Sequence, residues 1–334
     1  MNDAILYLTR AEVELACREL DPVALMRQAF CLHGSGMTRL PDEAYLSWTN
    51  SLGERVRSLS MPGYLDAPFS AAGTKIINSN PANITRGIPR ASGVTILFDA
   101  DSTRVRCIMD SAYISSLRTA SVSALAIELL RGPSISSCGL IGAGAIATAH
   151  LRLFLDRFPE IQRVRIYDHK AEAARRLAAS DARCSVAGSA EQAIRGAEIV
   201  VTATTTTTGY VPFDWLQAGT VLVHVSLDDV LAEVALRCDL LVVDDWHLVR
   251  TDDKRLLGRM YRAGDLTGPG ETAAGKRAVT AELGDLVTGR FPGRTRAGQI
   301  VLVNPFGLAI EDVAIASKVF EIARGRHMGT LLPR

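Results

Sequence analysis

The stretch Ser137-Cys-Gly-Leu-Ile-Gly-Ala-Gly-Ala-Ile-Ala-Thr-Ala-His150 is the part of the chain that indicates its fold most directly. Its residues 138–141 form an apolar run with the length of a buried strand, and residues 145–155 have the composition of a helix. Between and within them, Gly142, Gly144 and Ala147 stand in G-x-G-x-x-A spacing. A strand, a glycine turn and a helix in this order predict a dinucleotide-binding site, with a tight structural turn as the alternative.

Each position of this turn has a physical reason. Gly142 lets the chain turn sharply, Gly144 removes a side chain where a pyrophosphate approaches, and the helix start offers N–H groups to the phosphates. The next predicted strand, residues 163–168, ends in Asp168, about 20 residues after the turn, where an acid binds the ribose hydroxyls. Because a carboxylate there repels the extra phosphate of NADP, the sequence favours NAD.

Residues 134–303 alternate between short apolar runs and helical segments. This alternation predicts an α/β fold with a doubly wound, largely parallel sheet. Strands are predicted at 138–141, 163–168, 184–187, 198–204, 220–225 and 240–244, with helices at 145–157, 170–179 and 190–195. Ligands bind such sheets at the carboxyl ends of the strands, so we expect the site there.

The two flanks of this region have a different pattern. Residues 1–36 are predicted to be helical, residues 46–110 form short strands and turns, and residues 114–130 form a long helix rich in small side chains. A helix after residue 307 is expected to return to this first part of the chain, and the basic tail beyond it has no apolar pattern of its own.

Composition narrows the classes of function. The 334 residues carry a formal net charge of +1, which gives no electrostatic basis for binding nucleic acid or an anionic membrane surface. The apolar runs are too short to span a membrane, and the N-terminal residues do not resemble a signal peptide. The six cysteines and six histidines lack metal-ligand spacing, so we predict reduced thiols, no metal site and a cytoplasmic protein.

Three residues outside the glycine turn are candidates for chemistry. Lys75 lies inside an apolar strand, where a buried amine requires an anionic partner. Arg118 lies in a helix of small residues and suits a bidentate grip on a carboxylate. Asp229 follows a predicted strand end and could act as an acid or base. The alternatives are internal salt bridges for the two cations and helix capping for Asp229.

Several motifs together resemble the ornithine cyclodeaminase/μ-crystallin family. They occur in family order and include Met61-Pro-Gly-Tyr-Leu65, Gly73-Thr-Lys75-Ile, Asn80-Pro-Ala-Asn83, Arg118-Thr-Ala-Ser121 and Glu282-Leu-Gly-Asp285. The resemblance implies an NAD(P)-dependent homodimer. It also implies a Rossmann domain, residues 131–303, inserted into an α+β substrate-binding and dimerisation domain made of residues 1–130 and 304–334.

The resemblance also implies roles for single residues. Lys75 matches the strand lysine that contacts the substrate, and Arg118 matches the arginine that grips the α-carboxylate. Thr119 matches a threonine on the nicotinamide side, and Asp229 matches the catalytic aspartate of the cyclodeaminases. The predicted contacts of the cofactor are Thr119, Gly142, Gly144, Ala145, Ile146, Asp168, Thr204 and Ser226.

The chain departs from the cyclodeaminases at informative positions. Ile146 replaces their glutamine, Asp229 lacks their glycine-rich surroundings, and Pro41-Asp-Glu43 replaces an arginine-bearing motif. These departures resemble a branch of dehydrogenases that form 2,3-diaminopropionate for siderophores and peptide antibiotics. Their substrate, an amino-acid conjugate with three carboxylates, needs additional cations, for which Arg57, Arg86 and Arg90 are candidates; solvated loop charges are the alternative.

The predicted reaction is the oxidative cleavage of an N-(2-amino-2-carboxyethyl)-L-glutamate-type secondary amine to 2,3-diaminopropionate and 2-oxoglutarate. NAD would accept the hydride, and Asp229 would activate water to hydrolyse the imine. Three alternatives stay open: an ornithine- or lysine-type cyclodeaminase, an NAD(P)H-dependent imine or ketimine reductase, and a non-catalytic binding protein that retains the dinucleotide site.

Overall fold

The computed structural model describes residues 4–132 and 135–334, which divide into two compact units. Unit 1 comprises Met1–Arg118 and Gly307–Arg334, and unit 2 comprises Thr119–Phe306. The first division falls inside helix α3 (Ala112–Leu130), before the boundary expected at residue 130. One reason is that residues late in this helix contact unit 2, as Ser123 does through its hydrogen bond to His150.

Unit 1 contains a mixed sheet of eight strands. In sheet order the main path is β18-β1-β7-β6-β5-β4-β2, and β3 pairs with β4 beside it. The strands are β1 (Ala4–Leu8), β2 (Thr38–Arg39), β3 (Ala44–Thr49), β4 (Arg55–Leu65), β5 (Ala71–Ser79), β6 (Ala91–Phe98), β7 (Val105–Asp110) and β18 (Thr330–Pro333). The central strands β4 to β7 pair antiparallel in sequence order, as a meander.

Three further helices belong to unit 1: α1 (Arg10–Cys17), α2 (Pro22–Gly34) and α11 (Ala309–Gly325). Helix α11 packs on β4 and β5, where glycines allow a close approach. A Cβ on Gly63 would lie 3.0 Å from Cβ of Ala309, and one on Gly73 would lie 3.3 Å from Cγ2 of Val313. The helix is therefore buried along most of its length and supplies core side chains to the sheet.

One sequence-based expectation for unit 1 is wrong, and a second segment has a partner that the sequence does not predict. Residues 1–36 were expected to be helical, but Ala4–Leu8 is a strand; residues 1–3 lie outside the described ranges. The basic tail has no apolar pattern of its own in the sequence, yet Thr330–Pro333 pairs antiparallel with β1. The two short segments are held by each other and by the parallel pairing of β1 with β7, contacts that no local pattern reveals.

Unit 2 confirms the doubly wound parallel sheet. Its strand order is β10-β9-β8-β11-β12-β17-β13-β16, and every pairing is parallel. The strands are β8 (Ser137–Ile141), β9 (Arg163–Tyr167), β10 (Cys184–Val186), β11 (Ile199–Thr202), β12 (Val221–His224), β13 (Leu240–Val243), β16 (Ala281–Glu282) and β17 (Val301–Asn304). Successive strands step outward from β8 in both directions, the topology that creates a ligand crevice at the strand ends.

The sequences of the central strands explain their position. All four residues of β11, of β12 and of β13 are buried, as expected for parallel strands covered on both faces. The helices are α4 (Ala145–Arg157), α5 (Ala171–Ala178), α6 (Ala190–Ile194), α7 (Ala232–Arg237), α8 (Trp246–Thr251), α9 (Leu256–Ala263) and α10 (Leu283–Val287). A separate strand pair, β14 (Leu266–Thr267) and β15 (Arg277–Ala278), completes the unit. Among the described residues, no helix is both long and apolar enough to cross a membrane.

Candidate active site

The glycine turn has the geometry that a dinucleotide requires. Gly142 adopts φ +104°, and a Cβ there would lie 2.5 Å from the carbonyl oxygen of Ala203, so no other residue fits without a shift. At Gly144 a Cβ would meet no protein atom within 4 Å, which leaves open space at the start of α4. No side chain caps this helix, so its first N–H groups can face a ligand.

Asp168 is fixed directly beside this turn. Its Oδ2 accepts the N–H of Ala143 at 2.8 Å, and its Oδ1 accepts the N–H of Lys170 at 2.8 Å. The open turn, the uncapped helix start and the adjacent carboxylate fit the binding of a dinucleotide. Ala145 and Ile146 form the first turn of α4, as the sequence predicts.

Asp229 lies at the carboxyl ends of β11 and β12 and is fully buried. Three hydroxyl groups surround its carboxylate. Thr204 donates to Oδ1 at 2.8 Å, and Tyr210 donates to the same oxygen at 2.7 Å. Ser226 donates to Oδ2 and also lies 3.0 Å from the hydroxyl of Thr202. The residues predicted at these two strand ends are therefore brought together, although two of them, Thr204 and Ser226, direct their protons to Asp229.

The backbone around Asp229 is equally constrained. Its carbonyl oxygen accepts the N–H groups of Tyr210 and Val211, both at 2.9 Å. Its own N–H donates to Nε2 of His224 at 3.2 Å, and burial lowers the pKa of His224 to about 3, which keeps the ring neutral. Asp229 caps no helix, since Leu231 precedes α7 without a side-chain cap, so helix capping is wrong as its explanation.

Sequence reasoning did not identify Tyr210 or His224. His224 is the last residue of a buried strand, and Tyr210 follows a run of threonines that resembles low complexity. The available signal was their position, because both follow or end strands whose carboxyl ends form the crevice.

Lys75 and Arg118 form a buried ionic cluster in unit 1. Nζ of Lys75 lies 2.7 Å from Oδ2 of Asp312, and Nη1 of Arg118 lies 2.7 Å from Oε2 of Glu311. Nε of Arg118 also lies 3.4 Å from Oδ2 of Asp312. Burial lowers the pKa of Lys75, as does the charge of Arg118, whereas Asp312 opposes the shift. The cluster is an internal salt-bridge arrangement, which is one of the two roles that the sequence allows for these cations.

Gly307 makes room for this cluster. It has φ +94°, and a Cβ there would lie 2.4 Å from Nη1 of Arg118. The glycine that precedes α11 is therefore required both by its backbone conformation and by the guanidinium beside it. Among the described residues, no group of three potential ligands could hold a metal ion.

The three additional arginines differ in their surroundings. Arg86 pairs with Glu54, whose pKa this contact lowers to about 2. Arg57 lies over the ring of Tyr45, with 5.9 Å from its guanidinium carbon to the ring centre. Arg90 is partly buried, its Nε has no hydrogen-bond partner within residues 4–132 and 135–334, and burial together with the charge of Arg57 lowers its pKa. The positive charge of Arg57 therefore acts on Arg90, and an anion bound beside Arg90 would offset it.

Comparison with known proteins identifies similar chains over the full length. The family model for the ornithine cyclodeaminase/mu-crystallin family matches residues 4–327. N-((2S)-2-amino-2-carboxyethyl)-L-glutamate dehydrogenase of Staphylococcus aureus is 32% identical, with 99% of each chain covered.

Solved structures agree with this similarity. The crystal structure of CmnK superimposes with a TM-score of 0.92 at 33% identity, covering 99% of this chain and 98% of that one. An archaeal alanine dehydrogenase dimer with bound NAD superimposes with a TM-score of 0.85 at 26% identity, covering 98% and 99%. These proteins share the fold along the whole chain.

Proposed function

The chain belongs to the ornithine cyclodeaminase/mu-crystallin family, and from this premise we propose that it cleaves N-(2-amino-2-carboxyethyl)-L-glutamate oxidatively. The products are 2,3-diaminopropionate, 2-oxoglutarate and NADH. The observation that carries the proposal is the 32% identity, over 99% of both chains, to a dehydrogenase named for this substrate. The named relatives are dehydrogenases, so the enzyme class is that of NAD-dependent oxidoreductases.

NAD is the proposed cofactor because of the residues around the glycine turn. Gly142 and Gly144 leave room for the pyrophosphate, and Asp168 receives the ribose hydroxyls and disfavours a 2′-phosphate. Thr119, Ala145, Ile146, Thr204 and Ser226 complete the proposed contacts. When bound, the nicotinamide accepts a hydride from the carbon next to the substrate nitrogen.

The cations of unit 1 account for the carboxylates of this substrate. Lys75 and Arg118 hold the carboxylate next to the reacting carbon, an orientation effect, and Glu311 and Asp312 fix the two cations in place. Arg57 and Arg90 bind a further carboxylate, which supplies the acceptor that Nε of Arg90 lacks. Arg86, already paired with Glu54, contributes positive charge at the same loop.

The hydrolytic half of the reaction requires a proton acceptor. Loss of the hydride leaves a carbon–nitrogen double bond in the substrate, and water adds to that carbon. Asp229, held by three hydroxyl donors, is the proposed base for this water. Collapse of the adduct breaks the carbon–nitrogen bond and releases the two products.

The direct test supplies the conjugate with NAD and follows NADH by absorbance and the products by mass. We expect one NADH for each 2,3-diaminopropionate formed.

Asp229→Asn should abolish turnover while NAD binding stays near normal. Arg90→Gln should raise KM for the conjugate about tenfold, the loss expected for one charge-assisted contact, whereas Arg55→Gln on the same sheet is the matched control. Absence of NADH with the conjugate contradicts the proposal.

The same assay separates the other reactions of this family. A cyclodeaminase acting on ornithine or lysine would release ammonia with no net NADH. An imine or ketimine reductase would consume NADH or NADPH when given a cyclic imino acid.

We further propose a homodimer formed through strand β3. All six residues of β3 are exposed, including Leu46 at 61% and Trp48 at 46%. Exposed apolar side chains on one edge strand mark an interaction surface. An archaeal alanine dehydrogenase of similar fold was solved as a dimer, which supports a second copy of this chain as the partner.

A further inference from the structure

Because Asp229 is buried, its carboxylate needs a path through which it can accept a proton. The side chain is 0% exposed, and both of its oxygens accept hydrogen bonds from protein hydroxyls. A carboxylate enclosed in this way cannot contact a water molecule in the crevice directly. Any proton that it accepts must pass through one of the surrounding hydroxyl groups.

Tyr210 is the hydroxyl best placed for this transfer. Tyr210 is only partly buried, whereas Ser226 is 7% exposed and its hydroxyl also lies against Thr202. The hydroxyl of Thr204 already accepts the N–H of Thr206 at 3.2 Å. The bond to Asp229 is the one hydrogen bond of Tyr210 Oη within residues 4–132 and 135–334, so its lone pairs can accept a proton.

The backbone holds this hydroxyl against the carboxylate. Tyr210 and Val211 both donate their N–H groups to the carbonyl oxygen of Asp229, and Val211 pairs with Val230 in a parallel bridge. These bonds hold the segment of Tyr210 against the segment of Asp229. Burial first, and then the charge of Asp229, raise the pKa of Tyr210, so the phenol stays protonated at neutral pH and can pass its proton on.

We propose that Tyr210 is the catalytic proton relay between water and Asp229. The inference rests on the proposed function. As the water oxygen bonds to the imine carbon, one water O–H bond breaks and its proton moves to Oη of Tyr210. The original phenolic proton moves to Oδ1 of Asp229 over the 2.7 Å hydrogen bond. Tyr210 ends the step as a neutral phenol, and Asp229 ends it protonated.

The relay and a purely supporting role predict opposite effects of Tyr210→Phe. If Asp229 acted on water directly, losing the hydroxyl of Tyr210 would remove one donor that competes with water for the carboxylate and would leave kcat unchanged or raised. If Tyr210 carries the proton, kcat falls about a hundredfold, the scale of a lost acid–base group, with KM for NAD within twofold of wild type.

The experiment measures NADH formation from the conjugate for wild type, Tyr210→Phe, Asp229→Asn and the double variant. The relay predicts that the double variant is no slower than Asp229→Asn, because both substitutions interrupt one path. It also predicts a smaller solvent isotope effect per turnover in Tyr210→Phe. Tyr261→Phe, which changes a tyrosine packed on Trp246, is the matched control.

The outcomes separate the two proposals. Turnover by wild type with full activity in Tyr210→Phe overturns the relay and leaves the proposed function intact. No turnover by wild type overturns the proposed function and, with it, the relay. A hundredfold loss in Tyr210→Phe with normal NAD binding and an unchanged thermal unfolding temperature supports both.

Discussion

Lys75 shows how one side chain can constrain a whole unit. Its side chain is 1% exposed in the middle of a sheet, where desolvation opposes the charge. Asp312 supplies the opposite charge at 2.7 Å, and Arg118 with Glu311 completes a cluster of two cations and two carboxylates. Such a cluster is tolerated in the interior because every charge has a partner. Removing one partner leaves a buried charge unpaired, so that nothing offsets its desolvation cost.

Asp312→Asn should therefore destabilise the protein strongly. We expect the free energy of unfolding to fall by roughly 3–5 kcal/mol, since Lys75 and Arg118 would share a single carboxylate. Urea unfolding followed by circular dichroism measures the change. Glu321→Gln removes the partner of Lys318 from a pair that is partly exposed, and we expect a loss below about 1 kcal/mol. Equal losses in the two variants would contradict this account.

The sequence predicts some of these residues and misses others for a physical reason. Lys75, Arg118 and Asp229 are conspicuous because a charge interrupts an apolar segment or follows a strand. Their partners are not, since Asp312 lies 237 positions after Lys75 and a pairing over that separation leaves no local pattern. Tyr210 was missed because an aromatic residue in a loop is uninformative until its hydroxyl is placed against a carboxylate.

At the scale of elements, the turn from β8 into α4 contains two glycines, Gly142 and Gly144, that are needed for different reasons. Gly142→Ala should cost stability, because φ is +104° and the new methyl would meet the carbonyl oxygen of Ala203. We expect a loss of about 1–3 kcal/mol from this strain. Gly144→Ala should leave stability within about 1 kcal/mol, since nothing lies within 4 Å of its Cβ.

The variant that keeps its stability, Gly144→Ala, should be the one that loses affinity for the cofactor. In Gly144→Ala the methyl occupies the space where a pyrophosphate approaches, so we expect the Kd for NADH to rise about tenfold or more. Thermal unfolding without cofactor and fluorescence titration with NADH measure the two effects. Unchanged NADH affinity in Gly144→Ala would argue against a dinucleotide at this turn.

A buried histidine joins helices α3 and α4 and makes stability depend on pH. His150 is fully buried, with Nε2 2.8 Å from the hydroxyl of Ser123 and Nδ1 2.8 Å from the carbonyl oxygen of Ile146. Burial lowers its pKa to about 4 from an ordinary value of 6.5. The unfolded chain therefore binds a proton more readily between these values, and stability is lost as pH falls from 6.5 towards 4.

Between pH 7 and pH 5 this one group should reduce the free energy of unfolding by roughly 2 kcal/mol. His150→Gln cannot titrate, so its unfolding free energy should change less over that range, by about the same amount. Urea unfolding of both proteins at the two pH values gives the comparison. His169→Gln, at an exposed histidine, should reproduce the wild-type difference. A wild-type pH dependence in His150→Gln would place its origin elsewhere.

Element prediction succeeded where the chain repeats its own pattern. The alternating apolar runs of unit 2 predict the parallel sheet because each run is long enough to be a buried strand. Ala4–Leu8 was predicted as helix because five residues carry too little periodicity to decide. That strand exists through pairing with β7 and β18, whose residues come from distant parts of the chain.

At the scale of the whole molecule, strand β3 predicts the association state. Wild type should elute with the mass of two 35.9 kDa chains in light scattering at micromolar concentration. Trp48→Glu places a charge on the exposed strand and should yield a single-chain mass. Leu236→Glu, at a similarly exposed position in unit 2, should remain a dimer. A monomeric wild type would contradict the proposed homodimer, and a dimeric Trp48→Glu would place the interface on another surface.

The discontinuity of unit 1 has a consequence for biosynthesis. Unit 2 is one continuous segment, so a ribosome delivers all of it before the final residues of unit 1 are translated. Lys75 emerges early, yet the aspartate that neutralises it arrives only with α11, 237 codons later. The meander of unit 1 must therefore wait, with its future core open to water and to chaperones, until Ala309–Gly325 has been translated. We expect unit 2 to fold before unit 1, and we expect the synthesis of α11 to determine when unit 1 can complete its core.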